Sequence, residues 1–223
     1  MTTRQVPPER YVEGTYASLD RFISYSYQLR VIRASGARSI LFIGVGDGLV
    51  ADLLKKDHAL VVTTLDIDPE LKPDCVGDIR ALPFPDASFD AVCAFEVLEH
   101  LPWEETQKGI TEMARVSKTF ALISVPHRRT GFAVAFKLPF MRRLLGRSVG
   151  SFALLLPVRF PGFAVSGQHY WEIDGWATSL RTFRRALAAQ FDIDADFTPP
   201  LDYYHHFFLL RCRRPSAVEP LGA

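Results

Sequence analysis

The 223 residues, 48% hydrophobic and 23% charged, suffice for one large domain. A chain of this length buries roughly 70% of its unfolded surface, so neither a disulfide framework nor a structural metal is needed to fold it, and 14 Gly with 15 Pro exclude collagen-like and low-complexity chains. A formal net charge of +1 gives no general reason to expect nucleic-acid binding, and Cys75, Cys93 and Cys212, with no CxxC spacing, read as reduced thiols of a cytoplasmic protein.

The N-terminal MTTRQVPPERYVEG lacks the apolar centre of a secretory signal. The most apolar run, SFALLLP at Ser151–Pro157, falls far short of the roughly 18 residues a spanning helix requires. The expectation is a cytoplasmic protein that at most sits at a membrane surface.

In chain order, a helix is predicted over Leu19–Ala34, a strand over Ser39–Ile43, a helix near Leu49–Lys56 and a strand over Leu60–Leu65. A weak strand at Asp74–Val76 follows, then strands at Phe89–Ala94 and Thr119–Val125 flanking a helix near Glu104–Val116. Gly175–Ala189 has apolar residues at Trp176, Leu180, Phe183 and Leu187, a helical period, with Asp174 as its expected N-cap. Strands at Phe191–Asp194 and Phe207–Arg211 close the series. Short apolar runs alternating with amphipathic helices predict one α/β domain of about seven strands. Residues 1–36 read as an N-terminal helical cap, 37–126 and 167–213 as the core, 127–166 as an insert and 214–223 as a flexible tail.

The first strand runs directly into Gly44-Val45-Gly46-Asp47-Gly48 and then a helix. Glycines after a strand let backbone approach a ligand at the carboxyl end of a sheet. The dinucleotide fingerprint wants a small residue where Leu49 stands, and the P-loop Lys-Ser/Thr pair is absent, so phosphate recognition is disfavoured. Asp66 ends the second strand, 22 residues beyond Gly44, where a carboxylate can accept both hydroxyls of a ribose. Asp78 ends the third strand, where it can take an adenine amine while the Ile79 backbone reads the ring edge. Together the three features favour an adenosine ligand without phosphates.

The segments ILFIGVGDG (40–48), LDIDP (65–69), GDIRALPFPDASFDAV (77–92), FEVLEHLP (95–102) and TEMARVSKTFALISVP (111–126) resemble the class I S-adenosylmethionine-dependent methyltransferases, in particular the methyltransferase type 11-like group. The resemblance is close from Arg38 to Pro126 and loose over the C-terminus. It implies a Rossmann-like, mostly parallel seven-stranded sheet of order 3-2-1-4-5-7-6 with helices on both faces, the 127–166 insert following strand 5. It implies S-adenosyl-L-methionine as cofactor: Gly44, Gly46 and Gly48 beneath it, Asp66 on the ribose, Ile67 against adenine, and Asp78 with Ile79 on the base. The group usually carries an acid two places before the first glycine, and here that position is Phe42. The backbone of Phe95 is a candidate for the missing contact.

For methyl transfer to oxygen the acceptor must lose a proton. His100, His127 and His169 are the candidate catalytic histidines, with Glu96 and Glu99 nearby. In Glu96-Val97-Leu98-Glu99-His100 the spacing i, i+3, i+4 puts two carboxylates and an imidazole on one helical face, a donor set for Mg²⁺ or Mn²⁺. Local hydrogen bonding alone also explains the pattern. Gly167-Gln168-His169-Tyr170-Trp171-Glu172-Ile173 is read either as Trp171 packing beneath the sheet or as His169 facing the acceptor. Tyr203-Tyr204-His205-His206, just before the final strand, reads as a hairpin tip near the pocket and not as a metal site, because adjacent histidines on a strand point to opposite faces.

From Met113 to Trp171 no Asp or Glu occurs among 59 residues, while nine Lys and Arg do, leaving a charge of −8 for the rest. Phe132, Phe136, Phe140, Phe152, Phe160 and Phe163 interleave with these basic residues. Residues 127–166 are therefore a small subdomain with its own core, a substrate lid, or, through 128–163, a contact for an anionic lipid or membrane surface. The function expected is methyl transfer to a small-molecule acceptor, O-methylation of an amphipathic, saccharide or lipid-linked compound. The rivals are an RNA methyltransferase, a non-catalytic cofactor-binding protein and, behind both, a nicotinamide oxidoreductase.

Overall fold

The structure, a computed structural model, describes residues 18–137, 139–140, 143, 150–156, 168–175 and 178–213. Helix α1 (Leu19–Ser35) starts where the Ser18 hydroxyl accepts from Arg21 N and stops at Gly36 in the left-handed region. Strand β1 (Ser39–Ile43) is apolar and buried from Ile40 onward, its run of Ile, Leu, Phe and Ile suited to a strand covered on both faces. It feeds through the glycine turn into α2 (Leu49–Lys55) and then β2 (Val61–Asp66), β3 (Cys75–Val76) and β4 (Phe89–Phe95). A single 3₁₀ turn at Leu98–His100 leads into α3 (Trp103–Val116), followed by β5 (Ser117–Pro126). Strands β6 (Thr130–Phe136) and β7 (Gly150–Leu156) come next, then α4 (Leu180–Ala188), β8 (Phe191–Phe197) and β9 (His205–Cys212).

The seven-stranded sheet has order β3-β2-β1-β4-β5-β9-β8. Its first five strands are parallel, and β9 runs antiparallel to both β5 and β8. Counted within this sheet alone, the order is the expected 3-2-1-4-5-7-6. Strands β6 and β7 stand apart as a two-stranded antiparallel sheet inside the 127–166 segment.

Strand alternation splits the core in two. Leu41, Ile43, Val92, Ala94 and Ile123 pack with Ile110 and Met113 of α3 and Phe183 of α4. Ile40, Phe42, Cys93 and Phe95 face the other way, onto Ile32 of α1 and Leu54 of α2. Both faces of the central strands are covered, which is why those strands read as continuous apolar runs. Burying each such side chain contributes about 1.5–3 kcal/mol.

Strands β6 and β7 stand where only an insert was expected, and α4 also differs from its sequence expectation. Helix α4 begins at Leu180, capped by the Ser179 hydroxyl accepting from Thr182 N, and not behind Asp174. Asp174 sits in a left-handed turn (φ 56) and its N–H donates to Thr178 O, so the chain folds back before the helix starts. Trp176, Gly167, Phe160, Phe163 and the 214–223 tail lie outside the described residues, as do residues 1–17 of the 1–36 cap. Among the described residues no helix is long and apolar enough to cross a membrane.

Candidate functional site

A cavity of about 380 Å³ opens at the carboxyl ends of β1, β2, β3 and β4. Its floor is the Gly44–Asp47 turn. Gly44 has φ 82, and a Cβ there would stand 2.5 Å from Val97 Cγ2, so only glycine lets the turn pass beneath the cavity. Asp66 reaches the same floor: its Oδ2 accepts from Val45 N at 2.7 Å and its Oδ1 from Asp68 N at 2.9 Å. Burial raises the Asp66 pKa above the ordinary carboxylate value, against these backbone hydrogen bonds.

Of the expected cofactor residues, Gly44, Gly46, Asp66, Ile67, Asp78, Ile79 and Phe95 all line the cavity. Gly48 does not; in the left-handed region (φ 78) it precedes α2 as its N-cap. Asp78 reaches the wall with its carboxylate already paired. Arg80 donates to both its oxygens, which holds Asp78 below the usual carboxylate range. Phe42 is buried against Phe95 at 5.9 Å between ring centres. Near it, Tyr25 of α1 donates its hydroxyl to Asp47 Oδ2 at 2.8 Å, and Arg21 and Gln28 of the same helix also line the cavity. Tyr27 instead packs on Phe197 and Phe207.

The far end of the cavity is polar. Glu96 follows the end of β4 with left-handed backbone (φ 55), a conformation that costs a non-glycine residue about 1–3 kcal/mol and concentrates at functional sites. Its Oε1 accepts from the Ser124 hydroxyl at 2.8 Å, and its Oε2 lies 3.5 Å from His205 Nε2. Glu99 is 0% exposed, and neither of its carboxylate oxygens has a hydrogen-bond partner. Burial, together with the negative charge of Glu96, pushes its pKa well up.

His100 Nδ1 lies 2.8 Å from the Gln168 carbonyl oxygen. His169 Nδ1 lies 2.9 Å from Glu172 Oε1, and the two imidazoles meet edge to face at 5.0 Å. Ligand atoms of Glu99, His100 and His169 all fall within 4.8 Å of one another. The convergent set therefore contains His169 where the ExxEH reading had Glu96, whose carboxylate is held by Ser124 and His205. Each histidine has an oxygen acceptor at Nδ1, the usual outer support for an imidazole metal ligand. The Glu99 carboxylate, without a hydrogen-bond partner, and two imidazoles are a donor set that suits Mn²⁺ better than Mg²⁺, which favours oxygen ligands.

His127 is the expected catalytic residue that the structure removes from the cavity. It is fully buried, its Nε2 2.9 Å from Asp174 Oδ2 and its Nδ1 3.0 Å from His206 Nδ1. The Ser124 hydroxyl faces Glu96 on the cavity wall, and an odd number of residues along an extended strand turns His127 to the opposite face. The same alternation sends His205 into the cavity and His206 to His127.

Two supporting groups were not read from the sequence. Glu172 accepts from His169, from the Tyr204 hydroxyl at 3.0 Å, and faces Arg128 Nε at 3.6 Å. The i, i+3 spacing of His169 and Glu172 was the signal available for it. Asp202 Oδ2 lies 2.6 Å from His205 Nδ1. Burial alone would lower the His205 pKa, but the charge of Glu96 and the Asp202 hydrogen bond outweigh it and raise it.

Residues 41–123 match the family described as "Methyltransferase domain". A protein of Mycolicibacterium smegmatis named "Probable S-adenosylmethionine-dependent methyltransferase" is 36% identical over 116 residues, 47% of this chain and 44% of that one. The chain thus spans less than half the length of the curated relative it matches. Among solved structures, the PH0226 protein from Pyrococcus horikoshii OT3 superimposes with a TM-score of 0.60 at 14% identity, covering 93% of this chain and 100% of its own. The N-methyltransferase NodS from Bradyrhizobium japonicum WM9, in complex with S-adenosyl-L-homocysteine, gives 0.59 at 13% identity, covering 93% of this chain and 97% of its own. These structural likenesses show the fold.

Proposed function

We propose that this chain, which carries a class I S-adenosylmethionine-dependent methyltransferase domain, is an enzyme that methylates a hydroxyl oxygen of a small amphipathic, saccharide or lipid-linked acceptor with the help of Mg²⁺ or Mn²⁺. The observation that carries the reading is one cavity with the glycine turn and Asp66 at one end and Glu99, His100 and His169 at the other.

S-adenosyl-L-methionine supplies, when bound, a methyl group on a positively charged sulfur. Asp66, already oriented by two backbone N–H groups, accepts the ribose hydroxyls, and Ile67 and Ile79 cover the base. Because Arg80 occupies the Asp78 carboxylate, the backbone of Asp78 and Ile79 does more of the base reading than the side chain. The Tyr25–Asp47 pair stands over the turn where Phe42 replaces the usual acid. Glu99, His100 and His169 would hold the divalent ion, which supplies acidification of the acceptor hydroxyl. Glu96 takes the hydroxyl proton beside the His205–Asp202 pair, and the residues around it exclude water from an in-line displacement.

The reading is tested by incubating the protein with methyl-labelled S-adenosyl-L-methionine and a panel of hydroxylated amphipathic acceptors, with Mg²⁺, Mn²⁺ or EDTA. Label entering an ether in an acceptor-dependent, cation-dependent manner is the expected result. Label entering nitrogen, or equal transfer in EDTA, sinks the oxygen or metal part respectively. Failure of S-adenosyl-L-homocysteine to bind in calorimetry sinks the whole.

A further inference from the structure

None of the described side chains of the β6–β7 hairpin belongs to either core cluster, and its two strands form a sheet of their own. Its register pairs Phe132 with Leu154, and Phe132, Val134 and Phe136, two residues apart along β6, share one side of the hairpin. Phe132 is 51% exposed, Leu154 51%, Phe136 42% and Val134 40%. A two-stranded hairpin with an uncovered apolar side is marginal in water and needs a partner for that side.

The sequence states the partner's charge. The stretch joining the strands, residues 137–149, holds Lys137, Arg142, Arg143 and Arg147 and no acid, within the 59 residues that lack Asp and Glu altogether. Lys137, Phe140 and Arg143 are exposed. Aromatic residues beside unopposed cations match the boundary between acyl chains and anionic headgroups, where each Lys or Arg near the surface adds about 1 kcal/mol of attraction. RNA would use the cations and leave the phenylalanine side uncovered.

We infer that the β6–β7 hairpin is a docking surface for a bilayer containing anionic phospholipid. The hairpin leaves the main sheet just past the carboxyl end of β5, and Gln168 and His169, beyond its return, line the cavity. Docking therefore holds the cavity close to the membrane surface. The inference goes beyond the transferase reading and does not depend on it, since vesicle binding is measured without methyl transfer.

The full chain is sedimented with vesicles of phosphatidylcholine alone and with vesicles containing phosphatidylglycerol, at low and high salt. The protein is expected in the pellet with the mixed vesicles at low salt, and about tenfold less with phosphatidylcholine alone or at high salt. Phe132→Ser with Phe136→Ser, and separately Lys137→Glu with Arg143→Glu, are each expected to reduce partitioning about tenfold while the melting temperature stays unchanged. Absence from the anionic pellet, equal binding to both vesicle types, or both variants binding like the parent overturns the inference. It is also overturned if the Phe pair abolishes a concentration-dependent dimer while vesicle binding is absent, or if RNA binding replaces vesicle binding.

Discussion

His169 Nδ1 and Glu172 Oε1 lie 2.9 Å apart, with the Tyr204 hydroxyl donating to the same oxygen. Burial opposes ionisation of Glu172, but the hydrogen bonds from His169 and Tyr204 and the charge of Arg128 outweigh it, so its pKa sits below the ordinary glutamate value. An ionised Glu172 accepts, Nδ1 therefore donates, and the lone pair is left on Nε2. Glu172→Gln removes that bias, because an amide can donate back to Nδ1. The expected result is a loss of Mn²⁺ affinity of about 10–100-fold by calorimetry, with S-adenosyl-L-homocysteine affinity unchanged. Parental Mn²⁺ affinity would show that the pair serves only packing.

Glu99 provides the complementary test of the cation. Saturating Mn²⁺, at about 100 times its Kd, should stabilise the parent protein by about 2.7 kcal/mol, read as a rise in melting temperature that EDTA reverses. Glu99→Gln should fold and lose that rise. A melting temperature indifferent to Mg²⁺, Mn²⁺ and EDTA alike removes the metal.

Asp66→Ala deletes the carboxylate at the tip of β2 that the glycine turn orients through Val45 N. Binding of S-adenosyl-L-homocysteine should weaken by about 3–6 kcal/mol, the worth of two charge-assisted hydrogen bonds at about 1.5–3 kcal/mol each. A change under about 0.5 kcal/mol would take Asp66 out of the site.

Gly44→Ala tests the floor of the cavity by shape. With φ 82 and Val97 Cγ2 2.5 Å from the added Cβ, either the turn or Val97 must shift. Destabilisation of about 1–3 kcal/mol in urea, accompanied by weaker cofactor binding, is expected. Parental values for both would mean the turn has room that the geometry denies.

The buried His206–His127 pair makes stability depend on pH. Burial and the neighbouring His127 depress the His206 pKa to about 4 from an unfolded value near 6.5. Between those values the unfolded chain binds the extra proton, so the stability this neutral ring contributes is present above about pH 6.5 and lost as pH falls towards 4. Going from pH 7.5 to pH 5, the parent should lose about 1–2 kcal/mol more in urea unfolding than His206→Gln does. Identical pH dependence for both proteins would contradict a buried neutral imidazole.

Local signals carried much of this far. The glycine turn after β1, Asp66 after β2 and Asp78 after β3 each sit where a strand of a parallel sheet delivers its end, so reading strands in order reads the cavity wall in order. Alternation in HHFFLL was enough to send His205 and His206 to opposite faces, as the pairing of β9 with β5 bears out. The start of α4 was misread because Asp174 resembles a cap locally, whereas Ser179 has the hydroxyl that Thr182 N reaches.

What the amino-acid sequence determined alone is the α/β architecture, the strand-tip chemistry for an adenosine ligand and the acid-free basic stretch, because each is written in neighbouring residues. The tertiary structure decided which side chains meet. His169 joins Glu99 and His100 across some seventy positions because Tyr170 N donates to the Glu99 carbonyl oxygen, bringing the two segments side by side. His127 leaves the cavity because strand parity turns it away, and Arg80 claims Asp78 because its guanidinium folds back over two residues. Contacts of this kind depend on distances between segments, and no local pattern encodes a distance.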